Sequence, residues 1–167
     1  MRVTLPPHSF EAAAPPAPAP APEPITVVET IADGDGPRRH RVMLVDDEPQ
    51  VAQTMERLLR RDYDVTLAGC GRDAIDLITQ GARFDAIVSD VMMPNMTGIE
   101  LIEELQRIAP DQAERLIFLS GGAFTAQTRE RLDQLGAPQL EKPITASELR
   151  ACVKRIATEP PAAIEWR

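Results

Sequence analysis

Lysine is nearly absent from this chain. Of its 18 basic residues 16 are arginine, and only Lys142 and Lys154 are lysine, so a lysine at a special position is unusually informative. Aromatics are scarce too, at 4% against 43% hydrophobic residues, so any core must be aliphatic. The two cysteines, Cys70 and Cys152, are too few for a disulfide framework. No metal-ligand spacing joins them to His8 or His40, and they read as small buried hydrophobes. No apolar run approaches the roughly 18 residues that would span a bilayer. The opening MRVTLPPHSF lacks the apolar region of a secretion signal. The expectation is a cytoplasmic protein with no membrane partner. Positive charge is in deficit, with a formal net charge of -8, which argues against a nucleic-acid surface. The length, 167 residues, allows one ordinary domain plus tails.

What is there begins with proline. Residues 11 to 24, EAAAPPAPAPAPEP, alternate Pro with Ala. Proline fixes φ and donates no backbone hydrogen bond, so this stretch reads as a semi-rigid extended linker, continuing to residue 40. The RRHR cluster at 38–41 reads as solvating the domain edge. From 41 the texture changes. Strand-like runs at 41–46, 63–69, 84–90, 115–120 and within 138–143 alternate with helical patterns at 49–61, 71–81, 98–110, 125–137 and 145–157. Gly81 and Gly136 read as helix stops, and Thr145 or Ser147 as a cap with Glu148 placed for a capping box. Five strand–helix units in strict alternation predict a doubly wound parallel sheet with helices on both faces. Residues 158–167 read as a tail, too short for an output domain.

In such sheets the working crevice lies outside the carboxyl ends of the strands. Those ends carry Asp46, Asp47 and Glu48 in VDDEP, Asp90 in IVSDVMMPNMTG, Ser120 in LSGG, and Lys142 in EKP. Each has a plain reading: helix caps for the first acids, a turn residue for Ser120, a surface cation for Lys142. Together those readings fail, because three like charges at one rim repel unless a cation neutralises them. Mg²⁺ is suited to the task, taking a few carboxylates and leaving positions for phosphate oxygens. Lys142 adds a compact positive charge. Phosphoryl transfer needs this kind of positioning and neutralisation, and a carboxylate can be its nucleophile.

On the motifs LVDDEP, IVSDVMMPNMTG, FLSGG and LEKPI, residues 41–157 resemble the receiver domain of two-component response regulators. The resemblance implies a flavodoxin-like fold with strand order 2-1-3-4-5 and a role for each residue. Asp90 would be the phosphoacceptor and itself a metal ligand. Asp47 would bind Mg²⁺ directly, Asp46 mainly through water, and Met92 through its backbone carbonyl. Ser120 would bond the phosphoryl group, Lys142 would pair with it, and Pro143 would follow a cis peptide. The implied activity is acceptance of a phosphoryl group from phosphohistidine, catalysing only the chain's own phosphorylation and dephosphorylation, with no attached DNA-binding output. The implied partners are a sensor histidine kinase or a histidine phosphotransfer protein, with a homodimer left open. Two departures stand out: Gln139 replaces the usual aromatic three residues before the lysine, and the loop GAPQLEKP is about one residue short.

RVTLPP in residues 1–10 resembles the last strand of a histidine-kinase ATP-binding domain. The chain is therefore read either as the C-terminal piece of a hybrid kinase or as a stand-alone receiver with a disordered tail. Two other functions compete. A pseudo-receiver scaffold would have lost an acid or the lysine, and none is lost. A Mg²⁺-dependent phosphatase with an Asp nucleophile would want a second Asp two residues after Asp90, where Met92 stands.

Overall fold

A computed structural model describes residues 38–121 and 125–158. The proposed kinase remnant at 1–10, the linker up to residue 37, Gly122 and the tail from 159 lie outside the described residues. Five strands, β1 (Arg41–Val45), β2 (Asp64–Ala68), β3 (Ala86–Asp90), β4 (Leu116–Ser120) and β5 (Gln139–Glu141), form one sheet in the order β2-β1-β3-β4-β5. All four pairings are parallel. Six helices join and follow them: α1 (Pro49–Leu59), α2 (Gly71–Thr79), α3 (Gly98–Ile108), α4 (Pro110–Ala113), α5 (Ala126–Leu135) and α6 (Ala146–Thr158).

Strand composition follows position in that order. β3 and β4 are buried at every residue, whereas the two edge strands β2 and β5 are mostly exposed or half-buried. A parallel strand covered on both faces needs apolar residues throughout, and an edge strand does not. Successive side chains point to opposite faces, so β1 feeds two cores. Met43 and Val45 join Ile75 and Ile78 of α2, Leu101, Ile102 and Leu105 of α3, and Leu132 and Leu135 of α5. Val42 and Leu44 join Met55 and Leu59 of α1 and Leu149, Val153 and Ile156 of α6.

The third helix ends before Pro110, as expected, and a short turn that was not expected follows it. The segment expected over 98–110 ends at Ile108, Ala109 breaks it with φ -152° and ψ 71°, and Pro110 opens the separate turn α4. Proline stops one helix because its ring clashes with the preceding turn, and starts another because its missing N–H is not needed there. Gln112 of α4 is 98% buried and its side-chain Oε1 accepts a hydrogen bond from the Phe84 backbone N–H at 2.9 Å. Thr145 is the residue that caps α6: its hydroxyl accepts from the Glu148 N–H, and its own N–H donates to the Glu148 carboxylate.

Candidate functional site

The strand order reverses between β1 and β3, and that is where an open parallel sheet forms its crevice. Three backbone hydrogen bonds carry the sheet one residue past its strands. Asp46 N–H donates to the Ala68 carbonyl at 3.2 Å, Val91 N–H to the Leu119 carbonyl at 3.1 Å, and Lys142 N–H to the Ser120 carbonyl at 2.7 Å. The candidate side chains therefore stand on, or one residue beyond, a rigid ladder. Ser120 ends β4 opposite Glu141 and is 8% exposed.

The acids converge. Asp46, Asp47 and Asp90 each offer a carboxylate oxygen, and these oxygens all lie within 4.8 Å of one another, a group that could hold a metal ion. Lys142 reaches across it, its Nζ 3.3 Å from Asp90 Oδ1 and 3.6 Å from Asp46 Oδ2. Glu48, which the sequence also puts on this rim, is exposed and contributes its backbone instead. Its N–H donates to Asp46 Oδ1 at 2.8 Å. Asp46 and Asp47 do not cap α1, whose N-cap is Glu48 with no side-chain capping bond. Met92 follows two residues after Asp90 with its side chain 61% exposed.

The electrostatics are only partly compensated. Asp46 is 2% exposed, and its Oδ2 is buried without a hydrogen-bond partner among the described residues. Burial pushes its carboxyl above the usual range. The Glu48 N–H and Lys142 pull it back, and Asp90 and Asp47 push it further up. A buried carboxylate oxygen with no donor is costly. A cation bound among these three oxygens removes the cost, and hard oxygen donors suit a hard divalent ion.

The backbone behind Asp90 is tightly packed. A Cβ added at Gly98 would lie 2.5 Å from the Asp90 carbonyl oxygen and 3.1 Å from Val91 Cα. Only a residue without Cβ lets α3 start this close to the end of β3. The buried Ser89 hydroxyl donates to the same Asp90 carbonyl at 2.9 Å, a contact that no sequence pattern signals. Thr97 and Glu100 form a capping box at the start of α3, and Asn95 in the intervening loop has φ 67°. The Lys142–Pro143 peptide is cis, as the resemblance implied. Gln139 is exposed on the edge strand.

The response regulator receiver domain model matches residues 42–154. The sensor kinase CckA of Brucella abortus is 36% identical over 117 residues, which are 69% of this chain and 12% of that protein. A two-component response regulator of Oryza sativa subsp. japonica is 33% identical over 112 residues, 66% of this chain and 19% of that one. The chain spans half or less of the length of the curated relatives it matches. Among solved structures, the signal receiver domain of a signal transduction histidine kinase from Syntrophus aciditrophicus superposes with a TM-score of 0.66 at 26% identity, over 75% of this chain and 96% of that one. A chemotaxis protein of Vibrio cholerae, CheY4, gives 0.62 at 29% identity, over 71% and 99%.

Proposed function

Because the chain belongs to the response regulator receiver domain family, we propose that Asp90 accepts a phosphoryl group from a phosphohistidine. The donor would be a sensor histidine kinase or a histidine phosphotransfer protein. One observation carries the reading: three carboxylates converge within 4.8 Å, and the chain's rare lysine bridges two of them. An Asp90 oxygen attacks phosphorus, the phosphorus–nitrogen bond of the donor breaks, and the imidazole nitrogen leaves and takes up a proton. Asp47 and Asp90 would hold Mg²⁺ directly and Asp46 through water. The exposed Met92 side chain leaves that residue only its backbone carbonyl to offer. When bound, the ion supplies charge neutralisation for the transferring group. Lys142 pairs with the phosphoryl oxygens as a point charge, and the Ser120 hydroxyl donates to another.

Phosphorylation adds charge at the carboxyl rim, and Ser120 and α5 would shift to accommodate it. α5 suits this role because its buried residues are only Leu132 and Leu135. With Gln139 where an aromatic is expected, no ring on β5 relays the change. No helix among the described residues is long and apolar enough to cross a membrane.

The test is intact-mass analysis of wild type and Asp90→Asn after incubation with a small phosphodonor and Mg²⁺. A phosphoryl adduct on wild type alone, lost on chelation, is the expected result. No adduct on either protein would turn the reading toward a scaffold that binds partners without accepting phosphate.

A further inference from the structure

The opposite rim is more than a solvated edge. Arg38, Arg39, Arg41, Arg83 and Arg115 line one concavity of about 520 Å³. It sits at the amino ends of β1, β3 and β4: Arg41 opens β1, Arg83 precedes β3 and Arg115 precedes β4. Among the described residues its lining carboxylates are Asp85 and Asp111. Five guanidiniums against two carboxylates leave three positive charges, with His40 counted neutral. The chain as a whole carries -8, so the excess is local and opposite in sign to the rest.

Both carboxylates are already engaged. Asp85 Oδ2 accepts from the Arg41 backbone N–H at 2.8 Å and lies 3.5 Å from His40 Nδ1. Asp111 Oδ2 accepts from Gln112 Nε2 at 3.1 Å and stands 3.7 Å from Arg83 Nε. The inner arginines are held largely by neutral groups. Arg115 Nη1 donates to the Asp85 carbonyl at 3.0 Å, and Arg83 Nη1 to the carbonyls of Ile78 and Ala82 at 3.0 and 2.8 Å. The Arg41 guanidinium lies 5.2 Å over the Phe84 ring. Such anchors fix a guanidinium in place without cancelling its charge, so its remaining donors are preorganised for an anion. Arg38 and Arg39 are exposed at the mouth, with no ion pair among the described residues.

The shape selects the chemistry. A duplex or an acidic helix needs a stripe of positive charge, whereas this charge converges on one hollow. A compact ion with several oxyanion groups matches it, because the guanidinium fork pairs bidentately with phosphate oxygens. Phe84 is 3% exposed and covered by Arg41, so it has no free face on which a nucleobase could stack. We propose that this concavity is a binding site for a polyphosphate group, supplied either as inorganic polyphosphate or as the tail of a nucleotide whose base is not recognised. The inference is independent of the chemistry proposed at Asp90.

The test is titration of the isotope-labelled full chain with tripolyphosphate, ATP and GTP, in chelator, reading backbone amide shifts. The expected result is saturable movement of the Arg41, Phe84 and Asp85 amides with tripolyphosphate. Weakening by at least about tenfold is expected in Arg38→Glu/Arg39→Glu, two exposed positions that leave the unfolding midpoint unchanged. Arg38→Gln/Arg39→Gln should fall between. Equal ATP and GTP affinities at or above that of tripolyphosphate make a nucleotide tail the source, and a tripolyphosphate preference makes it inorganic. The proposal is overturned if the shifts fall instead on Ser120 and Lys142, if the double variants bind as wild type does, or if polyglutamate binds more tightly than tripolyphosphate.

Discussion

One sheet gathers acids at one rim and an arginine-lined hollow at the other, and the two handle their charge differently. At the carboxyl rim three aspartates converge, Lys142 is the one cation paired with them among the described residues, and a buried Asp46 oxygen has no hydrogen-bond donor there. At the amino rim most charges have a partner within the fold: Arg115 and Arg83 on carbonyls, Arg41 on an aromatic ring, Asp85 on a backbone N–H. Like charges held together by a rigid ladder are a stability cost that a fold would shed by mutation if nothing bound there. Charges anchored to neutral groups carry no such cost. The carboxyl rim is therefore the strained end of the sheet and the amino rim the relaxed one.

The largest effect is expected where the backbone beneath the acids is disturbed. In Gly98→Val the added carbons would meet the Asp90 carbonyl and Val91 Cα, both main-chain atoms that cannot swing aside. A loss of about 3 kcal/mol or more in urea unfolding is expected, and Gly98→Ala should lose about 1–3. A Gly98→Ala protein within about 0.5 kcal/mol of wild type would show that the close approach is not a real constraint.

Next in size is the strain itself. Without metal, Asp46→Asn removes a buried charge one of whose oxygens has no hydrogen-bond donor, and the gain at neutral pH should be about 1–3 kcal/mol. The pH dependence has a definite sign. Burial raises the Asp46 carboxyl in the folded state, so folding binds its proton more tightly than the unfolded chain does. The contribution is complete below the ordinary carboxylate value and is lost as pH rises through the raised one. Metal-free wild type should therefore lose part of its stability over that interval, and Asp46→Asn should not. Mg²⁺ should raise the wild-type Tm and move that of Asp46→Asn much less. Thermal scans across pH, with and without Mg²⁺, check all three outcomes.

The strained rim was legible from sequence because its signal is chemical. Acids at strand ends, Lys142 as one of only two lysines in an arginine-rich chain and a glycine after the loop stand out residue by residue. The alternation of strands and helices was legible because buried parallel strands leave continuous apolar runs such as LIFLS. What escaped was whatever depends on geometry between distant segments. Arg38, Arg83 and Arg115 are separated by some thirty residues or more in sequence and share a hollow only because three strands begin at one edge. The burial of Gln112 against the Phe84 N–H and the Ser89 contact behind Asp90 are likewise set by packing. None leaves a periodic trace.

The smallest effect is expected at the amino rim. Arg115→Ala removes a partly buried hydrogen bond to the Asp85 carbonyl and should cost about 1 kcal/mol. Asp85 keeps its carboxylate contacts to Arg41 N–H and His40, so the loss stays local. The lost hydrogen bond lies at the other end of β3 and β4 from Asp90, so the change should stay at the amino rim. The Tm response to Mg²⁺ should match that of wild type within error, as should the yield of phosphoryl adduct. If instead Arg115→Ala weakened the metal response, the rims would be coupled through β4. The amino rim would then be a regulatory end of the same device rather than an independent surface.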